Sequence, residues 1–257
     1  MRSLLAKTLL AATGLLTALA AAGDDLNGAP RWPTDEFHFV RMYYNNYGGG
    51  YGSGFRYGRG SYTTDYPDAE QHFTMGVGRL TRVDIGQQAR MIAVTDDMLF
   101  DYPWLYAVEV GHWYLDDTEA GRLREYLLRG GFLMTDDFHG TEEWQVFVES
   151  MQRVFPDRPI VEIPDEDEVK HVLYDLEAHI QIPGIAALRY GVTYEKDGVT
   201  PHWRGIYDDK GRLMVAINFN MDLGDAWELA NEPYYPEPMT ALATRFAVNY
   251  VIYAMTH

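Results

Sequence analysis

The residues best suited to chemistry fall in one short stretch, Gly130-Gly131-Phe132-Leu133-Met134-Thr135-Asp136-Asp137-Phe138-His139-Gly140. Phe132–Thr135 is a short apolar run of the kind that forms a buried strand, so Asp136, Asp137 and His139 emerge together where that strand ends. Two carboxylates and an imidazole at this spacing are a donor set for a divalent metal, and a metal held there can activate water for hydrolysis. The competing reading is that one Asp caps the helix that follows and its neighbours are ordinary solvated loop residues.

A second oxygen-rich run is Asn218-Phe219-Asn220-Met221-Asp222-Leu223-Gly224-Asp225. Its side-chain oxygens alternate as in a calcium loop, but Gly224 comes one place late and no Glu closes the loop. A strand end with one polar face explains the run equally well. With Asp65 from Thr64-Asp65-Tyr66-Pro67, the predicted pocket is Asp65, Asp136, Asp137, His139, Asn220 and Asp222, and its candidate metal ligands are Asp136, Asp137 and His139. Arg79, Arg82, Arg204 and Arg245 stand amid strong acidity, where Arg more often neutralises Asp or Glu than clamps a ligand carboxylate. There is no phosphate-binding glycine motif, no Gly-x-Ser-x-Gly elbow and no His-Glu-x-x-His.

The other conspicuous segment is Tyr44–Tyr62, in which seven glycines interleave with aromatic residues. So much glycine disfavours a helix or strand interior, so the segment reads as a long loop. Its Tyr47, Tyr51, Phe55 and Tyr57 either form a stacking surface for a saccharide or a protein, or fold back over a sheet edge.

These side chains need a scaffold, and the hydrophobic pattern supplies one. Phe37–Tyr43 alternates as a first strand, and Pro67 opens a helix that runs towards Leu80. Arg90–Thr95 and Trp104–Val108 read as buried parallel strands. Asp116 and Glu119 have capping-box spacing before a helix that stops at Gly130-Gly131. Strand Phe132–Thr135 follows, and Thr141 is expected to cap a helix with apolar positions Trp144, Phe147, Val148, Met151 and Phe155. Ile160–Ile163 reads as an edge strand, Asp165–Glu168 as a solvated acidic turn, and Gly205–Tyr207 with Leu213–Ile217 as a hairpin. A helix from about Met239 is apolar on most faces, as a core helix is. The alternation of strand and helix from 90 to 155 predicts an α/β fold, a mostly parallel sheet covered on both faces, with its ligand-facing loops at the strand C-termini.

The chain has 257 residues, 38 acidic against 21 basic, and a formal charge of −17. Such a surface repels phosphates and argues against nucleic-acid binding. Cysteine is absent, which removes disulfides, thiolate metal sites and cysteine nucleophiles together. Arg2 and Lys7, an apolar run over Leu9–Leu19 and small residues up to Ala22 predict a cleaved signal peptide over 1–22; an uncleaved anchor is the alternative. A linker over 23–33 and a single domain over 34–257 would follow. Cleavage leaves 19 basic against 38 acidic side chains, a charge of −19, on a protein expected to be periplasmic or secreted.

Several pieces then fit one pattern. Phe37–Tyr43, Thr64–Glu70, Arg79-Leu80-Thr81, Tyr102–Tyr106, Gly130–Gly140, Asp222–Trp227 and Arg245–Tyr253, in this order, resemble the bacterial domain family DUF4159. The resemblance covers the expected mature chain and implies a flavodoxin-like three-layer sandwich similar to class I glutamine amidotransferases. It brings no activity with it. Amidotransferases use a cysteine nucleophile, and this chain has none. The expected function is therefore a non-catalytic ligand- or protein-binding module of the bacterial cell envelope, with no cofactor, binding an envelope protein or saccharide. The alternative is a metal-assisted hydrolase centred on Asp136, Asp137 and His139.

Overall fold

The computed structural model describes residues 37–46, 61–86, 88–176 and 180–257. Tyr47, Tyr51, Phe55 and Tyr57 of the glycine-rich loop lie outside these residues, as does the N-terminal segment 1–36. In chain order the strands are β1 (Val40–Tyr43), β2 (Asn45–Asn46), β3 (Arg90–Ala93), β4 (Trp104–Val108), β5 (Trp113–Tyr114), β6 (Phe132–Asp136), β7 (Val161–Glu162), β8 (His202–Tyr207) and β9 (Leu213–Phe219). The helices are α1 (Asp68–Leu80), α2 (Asp117–Leu128), α3 (Gly140–Val154), α4 (Ile185–Arg189), α5 (Leu223–Glu228) and α6 (Glu237–Thr256).

Seven strands form one sheet in the order β3-β1-β4-β6-β9-β8-β7. The first five are parallel, and β8 runs antiparallel to both of its neighbours. β2 and β5 make a separate antiparallel ribbon. The parallel strands have the doubly wound order of flavodoxin-like folds, in which the chain reverses direction across the sheet between its first and third strands, here β1 and β4.

Successive side chains on each strand enter opposite cores, which accounts for the continuous apolar runs. Trp104, Tyr106, Phe132 and Met134 pack on the face covered by α1, α5 and α6, while Leu105, Ala107 and Leu133 pack on the face covered by α2 and α3. The first core holds a chain of rings, Phe37, Phe39, Phe73, Trp104, Tyr106 and Trp227, with neighbouring centroids 4.8–6.3 Å apart. Each such pair adds roughly 0.5–1.5 kcal/mol to its area burial. Phe73 lies in the middle of α1 and Trp227 near the end of α5, so this cluster fixes both helices against β4.

The capping box at α2 forms as its spacing implies: Asp116 Oδ1 accepts from Glu119 N at 2.8 Å, and Glu119 Oε2 accepts from Asp116 N at 2.9 Å. Three elements differ from the sequence reading. β3 is parallel but half-exposed, because the doubly wound order leaves the second parallel strand at the sheet edge. α3 begins before Thr141 because distant groups cap it: Asn220 Oδ1 accepts from Gly140 N, and Asp197 Oδ1 from Thr141 N, each at 2.9 Å. The short helices α4 and α5 have too few residues to show a period. Among the described residues no helix is long and apolar enough to cross a membrane.

Candidate functional site

The loops that follow β1, β4, β6 and β9 meet at the C-terminal edge of the sheet, at the reversal between β1 and β4. Backbone bonds tie them together: Glu109 N to Asp136 O, Asp137 N to Met221 O, Asn220 N to Phe138 O and Asp222 N to Ile182 O, all 3.0–3.1 Å. The non-glycine residues with positive φ among those described are Asp65, Glu109, Asp137, Lys196 and Asn220, and all five lie on these loops or on the 195–198 turn against them. Left-handed backbone at non-glycine residues costs energy and concentrates at functional sites.

Of the six predicted pocket residues, Asp65, Asp137 and Asp222 bring one carboxylate oxygen each to within 4.8 Å of one another. Asp136 is fully buried beside them. Its Oδ2 accepts from Leu223 N at 2.8 Å, Gly224 N at 2.9 Å and Tyr106 Oη at 3.3 Å. Its Oδ1 has no hydrogen-bond partner, and neither does the solvent-sealed Oδ2 of Asp65. His139 stands behind Asp137, its Nε2 3.2 Å from Asp137 Oδ1. Asn220 faces α3 and the 198–200 loop, giving Nδ2 to Thr200 O at 2.7 Å. The sequence-based ligand set Asp136, Asp137 and His139 thus differs from the set that converges. Asp136 is turned onto backbone N–H groups, and His139 orients a carboxylate as second neighbours of metal sites do.

Four acids beyond the six predicted residues stand here. Asp225 and Glu228 form a second close group with Asp65, again with oxygens within 4.8 Å. Glu195 Oε1 and Asp222 Oδ2 crowd the same face of Gly184, where a Cβ would lie 2.7 Å from each. Glu109 follows β4. Asp225 ends the oxygen-rich run singled out in the sequence, though the expected pocket stops at Asp222; the loop at 195 carries no period and Glu228 no motif, so no local signal marks Glu195 or Glu228.

The electrostatics are lopsided. Burial, then the charges of Asp225 and Glu228, push the Asp65 carboxyl well above the usual range. Burial and neighbouring acids do the same to Asp137 and Asp222, and burial lifts Asp136 to about 7. The nearest guanidinium, Arg41 on β1, is already engaged. It is ion-paired to Glu70 and donates Nη1 to the carbonyls of Tyr62 and Thr64 at 3.1 and 2.9 Å. It therefore positions the residues before Asp65 and offsets only part of the acids' mutual repulsion. Burial lowers His139 to about 4, so its ring is neutral and Nε2–H donates to Asp137.

A neighbouring group, Glu109, His112 and Glu143, is balanced by contrast. His112 Nε2 lies 3.3 Å from Glu109 and 3.0 Å from Glu143, Lys196 pairs with Glu143, and Glu143 Oε2 accepts from His139 N at 2.6 Å. Hydrogen bonds to Glu109 and Glu143 raise His112 to about 9. Burial pushes Glu143 up, but the bonds from His112, Lys196 and His139 N outweigh it and hold the carboxyl at about 2. A groove of about 290 Å³ lined by Phe100, Tyr102, Tyr126 and Arg129 lies at the opposite end of β4 and β6 and holds none of the predicted site residues.

Buried carboxylates that face one another without a base are the donor set of a hard divalent cation such as Ca²⁺, Mg²⁺ or Mn²⁺. No curated protein matches the sequence. A family model described as Domain of unknown function (DUF4159) matches residues 54–255. That span takes in every strand of the parallel sheet after β1 together with Asp65, Asp137 and Asp222, and the chain belongs to the DUF4159 family.

Proposed function

We propose that this chain is an exported, non-catalytic binding module of the bacterial cell envelope, and that its carboxylate centre takes up a divalent cation and, through it, an oxygen-rich ligand such as a saccharide. One observation carries the reading: the oxygens of Asp65, Asp137 and Asp222 lie within 4.8 Å of one another. A cation there replaces mutual repulsion with shared coordination and leaves open positions for ligand oxygens. The basic start, apolar run and small-residue end of segment 1–22 support export.

The test is calorimetry of the chelator-stripped mature protein with Ca²⁺, Mg²⁺ and Mn²⁺, followed by binding to envelope saccharides with and without the ion. Saturable uptake that Asp137→Asn abolishes, with ion-dependent saccharide binding, is the expected result. Absence of cation binding overturns the reading. The second reading, a metal-assisted hydrolase, draws support from the five left-handed residues gathered around the centre. It predicts ion-dependent release from ester or phosphoester substrates, with loss of that release in Asp137→Asn.

A further inference from the structure

The two close acidic groups share a residue. Asp65 meets Asp137 and Asp222 in one group and Asp225 and Glu228 in the other, each group with its oxygens within 4.8 Å. We propose that Asp65 bridges two divalent cations, one completed by Asp137 and Asp222 and the other by Asp225 and Glu228. The proposal rests on the cation-binding reading and goes further, from one ion to a coupled pair.

Charge argues for two. With all five carboxylates deprotonated, as metal ligands are, one divalent ion leaves three charges uncancelled and two leave one. Arg41 offsets only part of this, because it acts on Asp65 while ion-paired to Glu70.

Asp136, outside both groups, gives an independent sign of missing ligands. It is fully buried, spends Oδ2 on the N–H groups of Leu223 and Gly224, and has no donor for Oδ1. Its charge acts on Asp65, Asp137 and Asp222 alike. Asp65 Oδ2 is sealed against Gly224 and also has no donor; a Cβ on that glycine would overlap it. Buried oxygens normally have partners, so the orphaned oxygen of Asp65, the residue both groups share, marks a place where something else supplies one.

The surrounding bonds leave the ligand oxygens available. Asp222 uses Oδ1 to cap α5 through Asp225 N at 2.7 Å, while its Oδ2 points at Gly184. Asp225 uses Oδ2 on Ile185 N at 2.6 Å. Each has an oxygen left for an ion once the hydrogen bond that Asp225 shares with Glu228 gives way, and a carboxylate such as that of Asp65 can give one oxygen to each of two ions about 3.5–4 Å apart.

Manganese is the probe, because two Mn²⁺ ions bridged by a carboxylate give an exchange-coupled electron paramagnetic resonance spectrum. The chelator-stripped full chain is titrated with Mn²⁺ by calorimetry and followed by resonance. Two ions per chain with a coupled spectrum are expected. Glu228→Gln, at a half-exposed position that folding tolerates, is expected to bind one ion and lose the coupling, and Asp65→Asn to lose the coupling as well. One uncoupled ion per chain in the unmodified protein overturns the bridge and leaves the cation-binding reading standing. No ion at all overturns both, and a coupled pair that survives Glu228→Gln overturns the assignment of the second site.

Discussion

Replacing Asp222 with Asn should make the metal-free protein more stable while removing its response to cations. Asp222 is 4% exposed, and one of its carboxylate oxygens lies within 4.8 Å of those of Asp65 and Asp137. At that separation and an effective dielectric constant of about 20, each ionised pair costs roughly 3 kcal/mol, so two pairs approach about 7 kcal/mol. The folded protein can escape by taking up a proton, which from an ordinary Asp pKa costs about 4 kcal/mol at neutral pH. The smaller figure is the ceiling, so neutral Asn relieves about 2–4 kcal/mol. Asn also keeps the local structure, because its Oδ1 can accept from Asp225 N and cap α5 as Asp does. For a domain of this size the relief corresponds to a rise of about 5–15 °C in melting temperature. The assay is thermal unfolding of both proteins in chelator and again in excess Ca²⁺ or Mn²⁺. A chelator-treated variant that melts at or below the parent refutes the repulsion argument, and a variant that keeps the parent's cation-induced rise refutes the role of Asp222 as a ligand.

Gly224→Ala places a methyl against the end of the Asp65 side chain and 3.0 Å from the buried Tyr106 hydroxyl, so Asp65 must shift. The fold should lose about 1–3 kcal/mol, while calorimetric cation affinity falls at least tenfold; unchanged affinity would remove Asp65 from the centre. Asn249→Leu strips the amide that accepts from Tyr174 N at 2.9 Å and donates to Val169 O and Tyr174 O at 2.9 and 2.8 Å. Urea unfolding should show a loss of about 2–4 kcal/mol, since three backbone groups lose their partner. The Glu143 network sets a pH profile on both sides. Glu143, depressed to about 2, contributes stability that is present above its unfolded pKa near 4.5 and lost as pH falls towards 2, about 3 kcal/mol in all. His112, raised to about 9, contributes stability that is complete below about pH 6.5 and lost as pH rises through 9. Glu143→Gln should flatten the acid limb and only shrink the basic one, since Glu109 still holds His112, in urea titrations from pH 3 to 10; parallel curves for parent and variant would contradict this.

The frame of the site was legible in the sequence because it is periodic. Phe132–Thr135 alternates between two cores, Asp116 and Glu119 sit at capping-box spacing, and both signals depend on neighbours a few positions away. The same local logic placed Asp136 and Asp137 at the end of β6. What it could not supply was pairing at a distance. Arg41 reads as one polar residue in an alternating strand, and its burial follows only from Glu70 on α1. The cap of α3 comes from Asn220 and Asp197, far along the chain, so Thr141 was the natural but mistaken choice. Which oxygen of which Asp faces the centre is decided by the backbone N–H groups of Leu223 and Gly224, and no residue pattern encodes that.

The three acids that meet at the centre follow three different strands, and Asp65 and Asp222 are 157 positions apart in the sequence. The centre therefore comes into being only when β9 joins the sheet, late in the order in which the chain is made. A chain exported as proposed would cross its membrane without a formed site, and would meet its ion where folding finishes. Oxygen ligands hold Ca²⁺ and Mg²⁺ far less firmly than many sites hold copper or zinc, so affinity alone is a poor selector. The supply of ions in the compartment of folding, rather than the ligand set, would then decide which metal this protein carries.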